Sequence, residues 1–142
     1  MNSDLEKAKE ILDASSYTCV LAKGSEIYTS TKRGVSPLLE WLDSEKNFEG
    51  FSAADKVVGK AATHLYLLLG IKVLYANVIS SRALELLLAN GLDVYYGETA
   101  EWIKNRSNTG FCPMELCVAD IDNAEDALAA IKNKLEELKR FS

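Results

Sequence analysis

The segment from Ser52 to Gly97 constrains this chain most. Lys72 to Ile79 (KVLYANVI) reads as a buried strand, Ser80 to Ala89 as a helix ended by Asn90-Gly91, and Leu92 to Tyr96 as another strand. Strands alternating with helices over such short connections pair in parallel and call for an α/β layered sheet. Upstream, Ser52 to Leu69 places apolar residues at 54, 57, 58, 61, 62, 65, 68 and 69, which predicts one alanine-rich helix packed on that sheet and closed by Gly70. Gly59 interrupts this helix at a cost of about 1 kcal/mol, and so either marks a close approach by another backbone or a bound group or is a glycine tolerated by chance.

The flanking segments complete the layout. Ser3 to Ala14 spaces Leu5, Ala8, Ile11 and Leu12 as an amphipathic helix with Ser3 as its cap. Tyr17 to Lys23 and Glu26 to Thr31 form a hairpin about Gly24-Ser25. Ser36 caps, and Pro37 opens, a short helix through Leu42, followed by polar loop from Asp43 to Gly50. Glu98 to Lys104 is expected to be a short helix and Pro113 to open another. Ala124 to Arg140 is expected to be a long charged helix capped by Asp122 or Asn123. The expected fold is a three-layer α/β sandwich on a mixed sheet of four to five strands, in a single domain spanning residues 1–142.

With 142 residues, 48% of them hydrophobic, the chain buries a core without disulfides. Three cysteines, with Cys19 in an apolar strand, point to reduced thiols. A net charge of -5 and no Lys/Arg cluster argue against nucleic-acid binding. The charged first helix is no secretion signal and no apolar run approaches a membrane span, so a cytoplasmic location is expected, with no membrane partner.

The run VLYANVISSRALELLLANGLDVYYG resembles the core of the cytidine deaminase superfamily, in which a strand leads into Pro-Cys-x-x-Cys, a helix ending at glycine, and another strand. Aligning that glycine with Gly91 puts the proline at Ile79 and the cysteines at Ser80 and Ala83. The preceding His-x-Glu motif falls on Ala53 and Asp55. Zinc deamination needs three N or S ligands and a proton-shuttling carboxylate, so no metal and no cofactor is expected here. With SAADKVVGKAA and TGFCPME included, the chain is similar to an uncharacterised family of small prokaryotic proteins classed with the cytidine-deaminase-like fold. The resemblance implies a pocket at the N-termini of the helices beginning near Ser52 and Ser80, and the carboxyl ends of the strands in an open α/β sheet point to the same place.

Candidate site residues follow. Asp55, three after Ser52, is either a capping-box carboxylate or a pocket group that orients an amine or hydroxyl. Lys56 and Lys60, four apart on one helix face, repel unless an anion sits between them, and are otherwise two solvated lysines. Ser80 belongs to the same helix-end pocket. The cluster NRSNTGFCPMELC supplies Arg106, Thr109 and Gly110 to wrap a phosphate or ribose. In it, Cys112 stands at a helix cap, either as a candidate nucleophile or as a small buried cysteine in a tight turn, and Glu115 is placed to reach back to the Cys112 amide. Arg33-Gly34 is a weaker anion-compatible element, and Cys112 with Cys117 is too thin a set for zinc. His64, mid-helix, is expected to be satisfied or exposed there rather than paired with Cys112. Three readings result: a zinc-free domain that binds a small anionic or nucleotide-like metabolite, an enzyme using Cys112 as nucleophile or Asp55 as general base, and a structural module. Exposed apolar helix surface makes a homodimer an expected assembly.

Overall fold

A computed structural model describes residues 1–103 and 112–140. Its elements are α1 (Ser3–Ala14), β1 (Cys19–Lys23), β2 (Glu26–Ser30), α2 (Ser36–Asp43), β3 (Ser52–Val58), α3 (Lys60–Leu69), β4 (Val73–Ser80), α4 (Ser81–Ala89), β5 (Asp93–Ala100), α5 (Pro113–Val118) and α6 (Ala124–Arg140). They build one five-stranded sheet in the order β2-β1-β3-β4-β5. β1 pairs antiparallel with both β2 and β3, whereas β3, β4 and β5 run parallel. The N-terminal hairpin is thus joined to a parallel half, as the alternation of strands and helices requires.

Helix α1 covers one face, packing Ala8 and Leu12 on Val20, Ala22 and Ala54. The remaining helices lie over the other face, where Leu21, Ala53, Leu65, Leu74, Ile79 and Leu87 form the main core. Asn2, rather than Ser3, caps α1, its side chain accepting from the Leu5 amide at 2.7 Å. Val35 holds the cap position of α2 and Ser36 is already helical. Asn123 caps α6 by accepting from the Asp126 amide at 3.0 Å. Among the described residues, no helix is long and apolar enough to cross a membrane.

The expected helix from Ser52 to Leu69 is instead strand β3, Gly59, and helix α3. β3 is central, paired on both sides and covered on both faces, so Ala53 and Ala54 are buried consecutively rather than alternately. The apolar residues Ala53, Ala54, Val57 and Val58 lead into the true helical stripe of α3 and together imitate a single 3.6-residue period. Alanine's helical preference is worth only a few tenths of a kcal/mol over most residues, roughly, and two ladders of strand pairing outweigh it. The expected capping box of Ser52 and Asp55 goes with that helix, since the buried Ser52 hydroxyl donates to Asn2 Oδ1 at 3.4 Å. The short helix expected from Glu98 also does not form. β5 continues to Ala100 because β4 extends to Ser80 opposite it.

Candidate functional site

Parallel strands that lead into helices leave a gap at their carboxyl ends. At the end of β3 this gap is a crevice of about 530 Å³. Its walls come from the start of α2 (Arg33 to Leu38), the last residues of β3 (Asp55 to Val57), the first turn of α3, the start of α5 (Cys112 to Glu115), and Leu135 and Leu138 of α6. The helices whose starts open onto it are therefore α2, α3 and α5. The pocket expected beside Ser80 lies one strand away from this position: Ser80 is buried and caps α4, accepting from the Ala83 amide at 3.1 Å.

Asp55 sits at the crevice floor. Cys19 on β1 is its cross-strand partner, and both face α3, from which Tyr66 reaches down between them. The Tyr66 hydroxyl donates to Asp55 Oδ2 at 2.6 Å and lies 3.0 Å from Cys19 Sγ, while the Val57 amide donates to Asp55 Oδ1 at 3.2 Å. Burial drives the Asp55 carboxyl up to about 6, against the hydrogen bonds from Tyr66 and the backbone that favour its ionised form. Burial and the Asp55 charge hold both the Cys19 thiol and the Tyr66 phenol well above their ordinary values. The result is a carboxylate that is partly exposed and backed by two protonated, fully enclosed groups.

Glu115 has a different task. Its buried carboxylate crosses from α5 to the start of α3, where Oε1 accepts from the Lys60 amide at 2.7 Å and Oε2 from the Ala61 amide at 2.9 Å. It caps α3 from outside that helix, satisfying donors that α3 has no side chain of its own to meet. Burial raises the Glu115 carboxyl, and these amides together with the Lys60 charge oppose the shift. Gly59 makes the contact possible, since a Cβ there would stand 2.2 Å from Glu115 Oε1. The close approach that Gly59 marks is thus made by a side chain from α5. The expected bond from Glu115 back to Cys112 does not form, and the Cys112 amide donates to the Ile103 carbonyl at 3.1 Å.

Of the residues singled out from sequence, Asp55, Lys56, Cys112 and Glu115 come together around the crevice. Lys60 does not join them, because it begins α3 and its ammonium donates to the Ala119 carbonyl at 2.9 Å and lies 3.4 Å from Asp122 Oδ1. Lys56 and Lys60 therefore share no helix face. Arg106, Thr109 and Gly110 lie outside the described residues. Arg33 is exposed at the rim and Lys56 is partly exposed beside it, neither bonded to another described side chain, whereas Lys32 is paired with Glu40. His64 is buried, with Nε2 3.0 Å from the Ile121 carbonyl and Nδ1 without a partner among the described residues. It does not line the crevice.

The proposed zinc-ligand positions hold Ala53 in β3, Ser80 as a cap and Ala83 in the core. With β3 a strand, Asp55 is no longer at a helix start, and the pattern of strand, helix closed by glycine, and strand fits β3, α3 and β4 as well. Among the described residues no cluster of three or more His, Cys, Asp or Glu side chains could hold a metal. Cys117 donates to the Met114 carbonyl at 3.1 Å and forms no set with Cys112. Tyr66 is the site residue that sequence reasoning missed. On a continuous helix it would stand three turns from Asp55, and only a break at Gly59 folds it back.

A family model described as a domain of unknown function (DUF1893) matches residues 7–135. Among solved structures, that of a DUF1893 family protein from Thermotoga maritima aligns with a TM-score of 0.86 at 27% identity, over 94% of this chain and 92% of that one. A dCMP deaminase from the cyanophage S-TIM5 aligns with a TM-score of 0.44 at 13% identity, over 69% of this chain and 94% of that one. No curated protein matches the chain.

Proposed function

The chain belongs to the DUF1893 family, and from the geometry of its crevice we propose that it binds a small anionic metabolite with a partly apolar body. The observation that carries this reading is the crevice itself. About 530 Å³ is ample for a small molecule, and apolar walls from Val35, Pro37, Ala62 and Met114 surround a few polar groups. Arg33 and Lys56 at the rim are cations without a side-chain partner among the described residues, placed to meet a phosphate or carboxylate. Asp55 at the floor accepts a hydrogen bond from the ligand's other end.

A second reading, in which Asp55 is a general base, is favoured by one observation: burial places its carboxyl at about 6, near working pH. Cys112 lines the same crevice, but the chain's one histidine points elsewhere, to Ile121, and supplies it no base.

The test is a titration of the full chain with phenyl phosphate, followed by amide NMR shifts. Shifts confined to Arg33–Leu38, Asp55–Ala62 and Cys112–Glu115 are expected. Replacing Arg33 and Lys56 together by Ala should weaken binding by about tenfold or more, since charge-assisted hydrogen bonds contribute roughly 1.5–3 kcal/mol each. Absence of any crevice shift at saturating probe would refute the proposal.

A further inference from the structure

Asp55 is the one carboxylate at the crevice that the fold leaves electrostatically incomplete. Its donors, the Tyr66 hydroxyl and the Val57 amide, are both neutral. No cation among the described residues pairs with it. Lys32 is bound to Glu40, and Lys60 is tied to the Ala119 carbonyl and Asp122. Each carboxylate oxygen accepts from one protein donor, so acceptor capacity remains on both. An ionised carboxylate among apolar walls with only neutral donors is costly until a positive group reaches it. The same floor repels an anion, because Asp55 and Glu115 both line it. The rim has the opposite character, with Arg33 and Lys56 available.

We infer that the ligand is zwitterionic: a protonated amine or amidine seats on Asp55 while its anionic group is held by Arg33 and Lys56. This rests on the crevice reading above and names its ligand class. The apolar walls between the two charged ends fit an aromatic or aliphatic spacer better than a polyol. A cation on Asp55 would replace the interaction its surroundings lack, and the elevation of its carboxyl toward 6 reports that same lack. Cys19 from β1, Tyr66 from α3 and the Val57 amide from β3 stand against Asp55, while Lys56 from β3, Lys32 and Arg33 from the link before α2, and Cys112 and Glu115 at the start of α5 line the same crevice. Of these, Cys19 and Tyr66 are held protonated by burial and the Asp55 charge, so the two crevice carboxyls that burial raises, Asp55 and Glu115, set its pH response, and Asp55→Asn isolates the share of Asp55.

Two probes that differ by one amine decide the matter: para-(aminomethyl)benzoate and para-methylbenzoate, titrated into the full chain and followed by amide NMR shifts. At a pH of about 7.5 the amine should bind about tenfold tighter or more, the span expected for a hydrogen bond between charged groups. Asp55→Asn should bring the two probes to within about twofold of each other, and so should lowering the pH of the unaltered chain to about 5, where Asp55 is protonated. The pH arm needs no variant. Equal affinity of the two probes at the higher pH would overturn this inference and leave the anion-binding crevice standing. If neither probe moves crevice resonances, and phenyl phosphate does not either, the crevice reading and this inference fall together.

Discussion

Gly59→Ala is the substitution whose sign is most informative. Gly59 has φ -105°, a conformation any residue adopts, so backbone strain plays no part. At such a position an alanine ordinarily stabilises a protein by about 0.4–1 kcal/mol, through the unfolded chain. Here the new methyl would stand 2.2 Å from Glu115 Oε1, 2.4 Å from Cδ and 2.7 Å from Oε2, so the carboxylate must leave. Its departure breaks the bonds to the Lys60 and Ala61 amides at 2.7 and 2.9 Å, both buried. Each hydrogen bond to a charged group contributes about 1.5–3 kcal/mol, so a net loss of about 3–5 kcal/mol is expected, with a fall on the order of 10 °C in Tm. Urea denaturation measures the change directly. A double-mutant cycle locates it: in a Glu115→Ala background, Gly59→Ala should be nearly neutral or stabilising by about 0.4–1 kcal/mol. A Gly59→Ala protein as stable as the parent in the unaltered background would refute the proposed packing of α5 on α3.

Other expectations concern the crevice and its supports. Lys60→Met should cost about 0.5–1.5 kcal/mol by removing one of the two donors to the Ala119 carbonyl, the other being Arg82, while leaving phenyl phosphate affinity unchanged, because the Lys60 ammonium is bound outside the crevice. Weakened binding in that variant would contradict this placement. Brief alkylation of the native protein should modify the partly exposed Cys112 and Cys117 but spare Cys19, which is 2% exposed. Bound phenyl phosphate should slow modification at Cys112 alone, and equal protection of Cys117 would argue against this binding position. The Asp55 carboxyl, with its pKa raised from 3.8 to about 6, gives a stability term of known sign. Between those values the folded chain keeps a proton that the unfolded chain has released. Its contribution is greatest at low pH and declines as the pH rises toward 6, by about 1–3 kcal/mol for a partly exposed group. Denaturation curves for wild type and Asp55→Asn at several pH values check this, and identical slopes would show the term to be absent.

Much of the fold was legible because it is written locally. α1, the β1–β2 hairpin, α4 and α6 each carry their own periodicity and end signals, and each forms where the pattern places it. The family resemblance carried by SAADKVVGKAA and TGFCPME also holds. The boundary between β3 and α3 was illegible because the apolar residues of both halves, Ala54, Val57 and Val58 and then Ala61, Ala62 and Leu65, fall into one apparent helical stripe across Gly59. Only the pairing of Ala53 and Ala54 with strands on either side distinguishes them. Asp55 was singled out as a helix-start residue, whereas it stands near the end of strand β3 and lines the crevice. The side chains that enclose it, Cys19 and Tyr66, meet it through strand pairing and a chain reversal at Gly59 that a continuous helix precludes. Glu115 was also placed at the site, but its partners lie about 55 residues earlier in the chain, and no local pattern encodes such a contact.

Two carboxylates in one crevice, both raised by burial, show where the fold ends and the site begins. Glu115 meets two amide donors that nothing else caps, and removing its charge damages the structure around it. Asp55 meets a phenol and one strand amide, and Asn in its place could still accept from Tyr66 while relieving the burial of a charge. At neutral pH, Glu115→Gln should therefore destabilise the chain, whereas Asp55→Asn should stabilise it, each by about 1–3 kcal/mol. A residue that lowers stability where it stands, and faces open space, has the profile of a functional group retained against the interest of the fold. Opposite signs for the two substitutions would place Asp55 in that class and Glu115 outside it. Equal destabilisation would instead make Asp55 one more structural partner of Tyr66 and deprive the crevice of its distinguishing group.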